Sequence, residues 1–264
     1  MISWTDWHRE PLLVYGLILL GWLYAVATGP LRPAIAPGEP FPRAKAASFY
    51  SGLALAYLAV GSPLDQIGGV FLFSAGMVQH LLILYPVPVL LLRGLPAWAV
   101  DFLLDRPLLR VPFRLLLSPL PGGVLFVLVF GAWHLPRLYE LALQEEGLRA
   151  IECLLFLGVG LLFWWPLVST SRAFPPVGPA VQALYLSMVQ VTLTAVFFYV
   201  FMADHALYPT FQYAPRLIDG LSPLEDQRLA GVLLGLVSSL VLLGALGSVF
   251  FRWARHSENP SGHR

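Results

Sequence analysis

Seven runs of roughly 20 mostly apolar residues govern what this chain can fold into, because that is the length an α-helix needs to cross the hydrocarbon core of a bilayer. They cover approximately Leu12 to Thr28, Ala46 to Ser62, Val70 to Leu92, Gly122 to Tyr139, Arg149 to Val168, Val181 to Met202 and Leu229 to Phe251. Hydrocarbon offers no partner to backbone N–H and C=O groups, so isolated apolar runs in it are helical. The expected architecture is all-α: a polytopic membrane bundle of seven transmembrane helices over residues 1–251, followed by a polar tail over residues 252–264. Composition agrees. Hydrophobic residues make up 58% of the chain and charged residues 12%, against about 25% charged in soluble domains. An ordinary soluble enzyme and a disordered chain are excluded. A net charge of +1 with one lysine, Lys45, leaves no basic field for nucleic acid.

The first run carries Ala25-Val26-Ala27, which resembles a signal-peptide cleavage site, but Asp6, Arg9 and Glu10 before it give no positive excess. It is read as a retained first span. With the N-terminus outside, cytoplasmic connections and the tail carry eleven Lys and Arg residues and the outer ones five. The positive-inside rule therefore puts the N-terminus outside and the C-terminus in the cytoplasm. In the loop after the third run, Arg106, Arg110 and Arg114 form a basic stripe among leucines, as expected of a segment lying on anionic headgroups. Pro107 and Pro112 argue against one regular helix there. No internal repeat is visible, so an inverted-repeat transporter has no support.

On this topology His8, His80, His134 and His205 fall toward the outer side, together with Asp65, Glu152, Cys153, Asp204 and Asp226, whereas His256 and His263 lie in the tail. Counting from Val70, His80 stands about 15 Å deep at 1.5 Å per residue. An ionisable group at that depth points to function, although an imidazole can also simply bond to a neighbouring helix. Met77, three residues earlier, shares its face, and thioether beside imidazole suits Cu(I). The fourth and fifth runs form a hairpin that brings His134 near Glu152 and Cys153. Thiolate and imidazole favour copper or zinc; without a metal, Glu152 is expected to pair with Arg137 or Arg149. Trp133, Trp164 and Trp165 read as interfacial anchors. The sole lysine, at the edge of the second run, excludes a retinal Schiff base, and no hydrolase or phosphate-loop motif is present. His80 and His134 differ by about 8 Å in estimated depth, which argues against bis-histidine haem.

Several stretches in order along the chain resemble the polytopic CtaG type of cytochrome c oxidase assembly factor. They include Met77-Val78-Gln79-His80, Arg93-Gly94-Leu95-Pro96, Trp133-His134-Leu135-Pro136, Ile151-Glu152-Cys153, Phe163-Trp164-Trp165-Pro166, Leu207-Tyr208-Pro209 and Asp226-Gln227-Arg228-Leu229-Ala230-Gly231. The resemblance implies a seven-span, non-enzymatic factor of the bacterial inner membrane that matures a haem-copper oxidase. It would handle copper or scaffold the apo-subunit, with an oxidase subunit, membrane lipids and a periplasmic copper chaperone as partners. His80, His134, Glu152, Asp226 and Gln227 match the family's polar positions. Arg149 and Cys153 stand where the family is expected to carry histidines. The candidate copper ligands are thus Met77, His80, His134, Glu152, Cys153 and Asp226. The alternatives are a small-solute or metal-ion transporter and a membrane-embedded enzyme or haem protein.

Overall fold

The computed structural model describes residue 7, residues 11–104 and residues 106–258. Among the described residues there is no strand. The helices are α1 (Pro11–Thr28), α2 (Arg32–Ile35), α3 (Arg43–Gly61), α4 (Pro63–Gln66), α5 (Phe73–Leu84), α6 (Pro86–Gly94), α7 (Ala97–Leu104) and α8 (Pro107–Leu116). They continue with α9 (Pro119–Trp133), α10 (Pro136–Gln144), α11 (Glu146–Val168), α12 (Pro179–Met202), α13 (Pro209–Tyr213) and α14 (Pro223–Glu258); a π-helical turn over Ile67–Phe71 joins α4 to α5. Nine of these helices open on proline. Proline suits that position because its φ is preset and its missing N–H has no helical partner there anyway.

The proline placement explains where the spans differ from seven uniform runs. Among the described residues five helical segments are long and apolar enough to cross a membrane: Arg43–Phe71, Phe73–Gly94, Glu146–Val168, Pro179–Met202 and Pro223–Arg255. A sixth is counted if α8 and α9, bent by 63°, form one broken span, and α1 is an apolar helix of 18 residues. The second run does not stop at Ser62: the Ser62 side chain accepts from the Leu64 N–H, and Pro63 restarts the helix. The third run is broken at Leu72, which is extended, and re-initiates at Pro86. The fourth divides at His134, because Pro136 cannot continue α9 and instead opens α10. At the C-terminal end α14 continues to Glu258, so residues 252–258 belong to the last helix rather than to a separate tail. His8, His263 and the side chain of His256 lie outside the described residues.

The main core gathers α5, α9, α11, α12 and α14, and a smaller one joins α1, α3 and α6 through Tyr24, Phe49, Leu53, Val87 and Leu91. Backbones come very close where glycine allows it. A Cβ on Gly94 would lie 2.6 Å from the Phe49 backbone nitrogen, and one on Gly68 would lie 2.7 Å from the Gly76 Cα, which presses the π-helical turn onto α5. Tyr24 Oη donates to the Gly94 carbonyl at 3.0 Å. Below the bundle, the Asp101 carboxylate accepts from the backbone N–H groups of Arg172 and Ala173 and so ties α7 to the α11–α12 loop. The basic stripe forms one ten-residue helix after all, with Pro112 inside it. Its apolar residues Leu108, Val111 and Leu115 are 87%, 75% and 67% exposed on one face, as a helix lying in a bilayer surface requires.

Gly94→Ala is expected to lower the unfolding temperature in detergent by several degrees, because overpacking against backbone costs about 1–3 kcal/mol. Gly158→Ala, where a Cβ meets nothing within 4 Å, should leave it unchanged or raise it. Equal unfolding temperatures for the two variants would contradict the close α3–α6 approach.

Candidate functional site

The site starts from α5, whose N-terminus has no cap of its own. Leu72 occupies the cap position and makes no side-chain bond to the first turn. Asp226, in the first turn of α14, supplies the missing acceptor: Phe73 N–H donates to its Oδ2 at 2.7 Å and Ser74 N–H to its Oδ1 at 3.3 Å, and the Ser74 hydroxyl also donates to Oδ1. A carboxylate at a helix N-terminus satisfies orphan N–H groups and complements the positive end of the helix dipole. Next to it, Gln227 Oε1 accepts from Leu207 N–H at 2.7 Å while Nε2 donates to the Val200 carbonyl at 3.1 Å. These two α14 residues therefore fix α5 and the α12–α13 connection. Asp226 is occupied as a cap and does not join the other candidate ligands.

One turn into α5, Met77 and His80 point into the core, Met77 with no exposed surface. His134 comes to them from the C-terminal end of α9. Its Nδ1 lies 2.7 Å from the Phe130 carbonyl, and its Nε2 lies 3.3 Å from Met77 Sδ. A carbonyl only accepts, so Nδ1 carries the proton, and the neutral ring keeps its lone pair on Nε2, facing the sulfur. Tyr208 Oη donates to the His134 carbonyl at 2.9 Å. Burial holds the Tyr208 pKa above the ordinary tyrosine value, so that it remains a donor. The His80 and His134 ring centroids are 5.7 Å apart, which corrects the 8 Å depth difference expected from residue counting. That count began at Val70, whereas α5 begins only at Phe73, and α9 stops before the expected exit.

Glu152, on α11, is 3% exposed, and its Oε1 lies 3.1 Å from His80 Nε2. The contact is off the line of a hydrogen bond: Oε1 counts, with His80 Nδ1 and Trp133 Nε1, among the buried polar atoms without a partner. Glu152 does not pair with Arg149. That guanidinium instead bonds Asp65 Oδ1 at 2.8 Å and Gln79 Oε1 at 3.2 Å. Arg149 thereby ties α11 to α4 and α5, just beside Glu152 and His80, and a Cβ on Gly69 would lie 3.1 Å from its Cζ. Cys153 is half-buried and packs against the main core. Among the described residues no three His, Cys, Asp or Glu side chains gather as metal ligands, so the expected His134–Cys153–Glu152 set does not form. Met77 Sδ instead lies 3.3 Å from His134 Nε2.

Aromatic rings enclose the group. Phe156 lies 4.6 Å from the His80 ring and Phe130 4.2 Å from that of His134. Trp133, 7% exposed, is part of this enclosure rather than an interfacial anchor. Trp164 and Trp165 are buried as well and donate to the Leu84 and Phe174 carbonyls. Sequence reasoning missed the Asp65–Arg149–Gln79 cluster and the capping role of Asp226. A carboxylate opposite a helix whose own cap residue is leucine is the signal that would have found the latter.

The model of the cytochrome c oxidase caa3 assembly factors (Caa3_CtaG) matches residues 22–256, and the chain belongs to that family. None of the curated proteins and none of the solved structures compared with it matches.

Asp226→Ala is expected to lower the unfolding temperature in detergent markedly, since hydrogen bonds to a charged group contribute about 1.5–3 kcal/mol each. Asp226→Asn should lower it less, because the amide oxygen still accepts. Parental stability in both variants would show that α5 is held by other contacts.

Proposed function

We propose that this caa3 oxidase assembly factor carries Cu(I) as cargo, held by the Met77 thioether and the His80 and His134 imidazoles, with Glu152 orienting His80. One observation carries the reading: His80 Nδ1 is buried without a hydrogen-bond partner directly beside a histidine whose unprotonated nitrogen faces a thioether. A buried orphan polar atom costs about 1–3 kcal/mol, a cost that a bound ion removes. Imidazole and thioether are donors suited to Cu(I). The Phe130 carbonyl fixes the His134 tautomer from behind, as outer partners of metal-binding histidines do.

In this proposal the protein is a chaperone, not a catalyst. Its partners are the apo-subunit of the oxidase and a donor of copper on the outer side of the bacterial inner membrane. The chain crosses the membrane seven times, with α1 and α9 as the two shorter crossings, α8 lying at the surface and the N-terminus outside. The excess of Lys and Arg in the alternate connections supports that orientation. Delivery to the oxidase follows from family membership and from the chemistry of the cargo.

His80→Gln, His134→Gln and Met77→Leu should each reduce copper retained by the purified protein at least tenfold. They should lower active oxidase in the host while protein abundance stays unchanged; Cys153→Ser should do neither. Undiminished copper in all three variants would overturn the site. Normal oxidase in a host whose factor has lost copper would leave scaffolding as the function. Reporter fusions after Gly147 and Arg255 should be active outside and inside respectively, and the reverse pattern would overturn the orientation.

A further inference from the structure

The donors of the proposed copper site lie toward the end of the bundle where α5, α11 and α14 begin and α9 stops. Two covers of different chemistry close that end. One is aromatic: Phe73, Tyr139, Tyr208 and Phe211 are all buried, and their ring centroids stand between 4.5 and 6.5 Å apart. The other is polar and joins Asp65 of α4, Gln79 of α5 and Arg149 at the start of α11. Asp65 Oδ1 accepts from Arg149 Nε at 3.2 Å, from Arg149 Nη2 at 2.8 Å and from Gln79 Nε2 at 2.7 Å. Arg149 Nη2 also donates to Gln79 Oε1 and to the Asp65 carbonyl, both at 3.2 Å.

Of the two, the polar cover adjoins the buried histidine and carboxylate and also reaches solvent. Gln79 directly precedes His80 on α5, and Glu152 follows Arg149 one turn further along α11. The side chains of Arg149 and Asp65 keep 19% and 13% of their surface exposed, whereas those of His80 and Glu152 keep 5% and 3%. An ion pair that reaches solvent opens at lower cost than one sealed inside. The guanidinium lies flat on the backbone of Gly69: a Cβ there would stand 3.1 Å from its Cζ and Nη2 and 3.2 Å from its Nη1. It can swing off that platform by rotation about its own side-chain bonds, without movement of α11.

The chemistry of passage separates the two covers. A metal cation passing between the rings exchanges its hydration shell for largely apolar surroundings, which is costly. Passing Asp65 and Gln79, it exchanges water for a carboxylate and an amide oxygen. A cuprous ion and a guanidinium both carry one positive charge, so the ion can replace Arg149 on Asp65 without changing the charge of the cluster. Oxygen donors suit hard ions better than soft Cu(I), which makes Asp65 a station on the way to the imidazoles and the thioether. We infer that Asp65, Gln79 and Arg149 form the entry gate of the buried site, with Asp65 the first ligand an incoming monovalent metal cation meets and Arg149 the counter-ion it displaces. The inference rests on the Cu(I) reading of Met77, His80 and His134 and adds the route by which that ion arrives.

Stopped-flow transfer tests the gate on the full-length protein in detergent, with Cu(I) supplied as its bicinchoninate complex, whose colour fades as the ion leaves. Gly69→Ala presses a methyl group against the guanidinium and dislodges it while keeping every charge; Arg149→Gln removes the counter-ion. Both should load about tenfold faster than the parent, the factor that ~1.4 kcal/mol makes in a rate. Both should reach the parental copper content, Gly69→Ala at the parental unfolding temperature. Phe211→Leu, which loosens the aromatic cover, should load at the parental rate. Parental rates in both polar variants, or acceleration in Phe211→Leu alone, would overturn the gate while leaving the copper site standing. A lower unfolding temperature in both polar variants without faster loading would make the cluster a structural pin and overturn it equally. A parent that retains no copper would overturn the Cu(I) reading and the gate with it.

Discussion

The carboxylate of Asp226 is the contact on which the rest of the site depends. It is the acceptor for the first turn of α5, which its own sequence leaves uncapped. Met77 stands one turn further on and His80 two, so the position of both follows from how α14 grips that turn. In hydrocarbon the grip matters more than it would in water, because an unpaired N–H there has no solvent to turn to. The neighbouring Gln227 extends the hold to the segment that carries Tyr208, and Tyr208 in turn bonds the His134 carbonyl. One end of α14 thus sets the geometry of both imidazoles.

Around this frame the polar groups divide into satisfied and unsatisfied sets. Arg149, Asp65 and Gln79 satisfy one another and pin the Ile67–Phe71 turn against α11. Asp101 satisfies the loop at the opposite end of α11. Buried side-chain polar atoms are normally bonded; among the described residues Arg32 Nη1 and Gln190 Oε1 stand singly without a hydrogen-bond partner, and three more such atoms lie together at the histidines. There His80 Nδ1, Glu152 Oε1 and Trp133 Nε1 remain without partners, enclosed by phenylalanine rings. Three such atoms gathered at one place, where the others stand singly, favour a ligand site there over a structural network.

Much of this was legible in the amino-acid sequence. The apolar runs gave the all-helical class, the three-residue spacing of Met77 and His80 put them on one face, and the hairpin placed His134 and Glu152 near each other. Two kinds of feature were not legible. Breaks inside apolar runs leave hydropathy almost unchanged: Leu72 reads as part of a continuous span, yet it is the restart that sets the depth of His80. Contacts across more than a hundred residues leave no local pattern. Asp226 meets Phe73 at a separation of 153 residues and reads from sequence as one more outer carboxylate. Arg149 was similarly opaque, since nothing near it in sequence announces that its partner is Asp65.

The proposed Cu(I) site holds its ion with two imidazoles and a thioether, not with the lone thiol. Copper K-edge X-ray absorption on the Cu(I)-loaded protein tests it most directly. Two nitrogen scatterers and one sulfur are expected, with the sulfur lost in Met77→Leu and retained in Cys153→Ser. A sulfur signal that survives Met77→Leu and disappears in Cys153→Ser would contradict it.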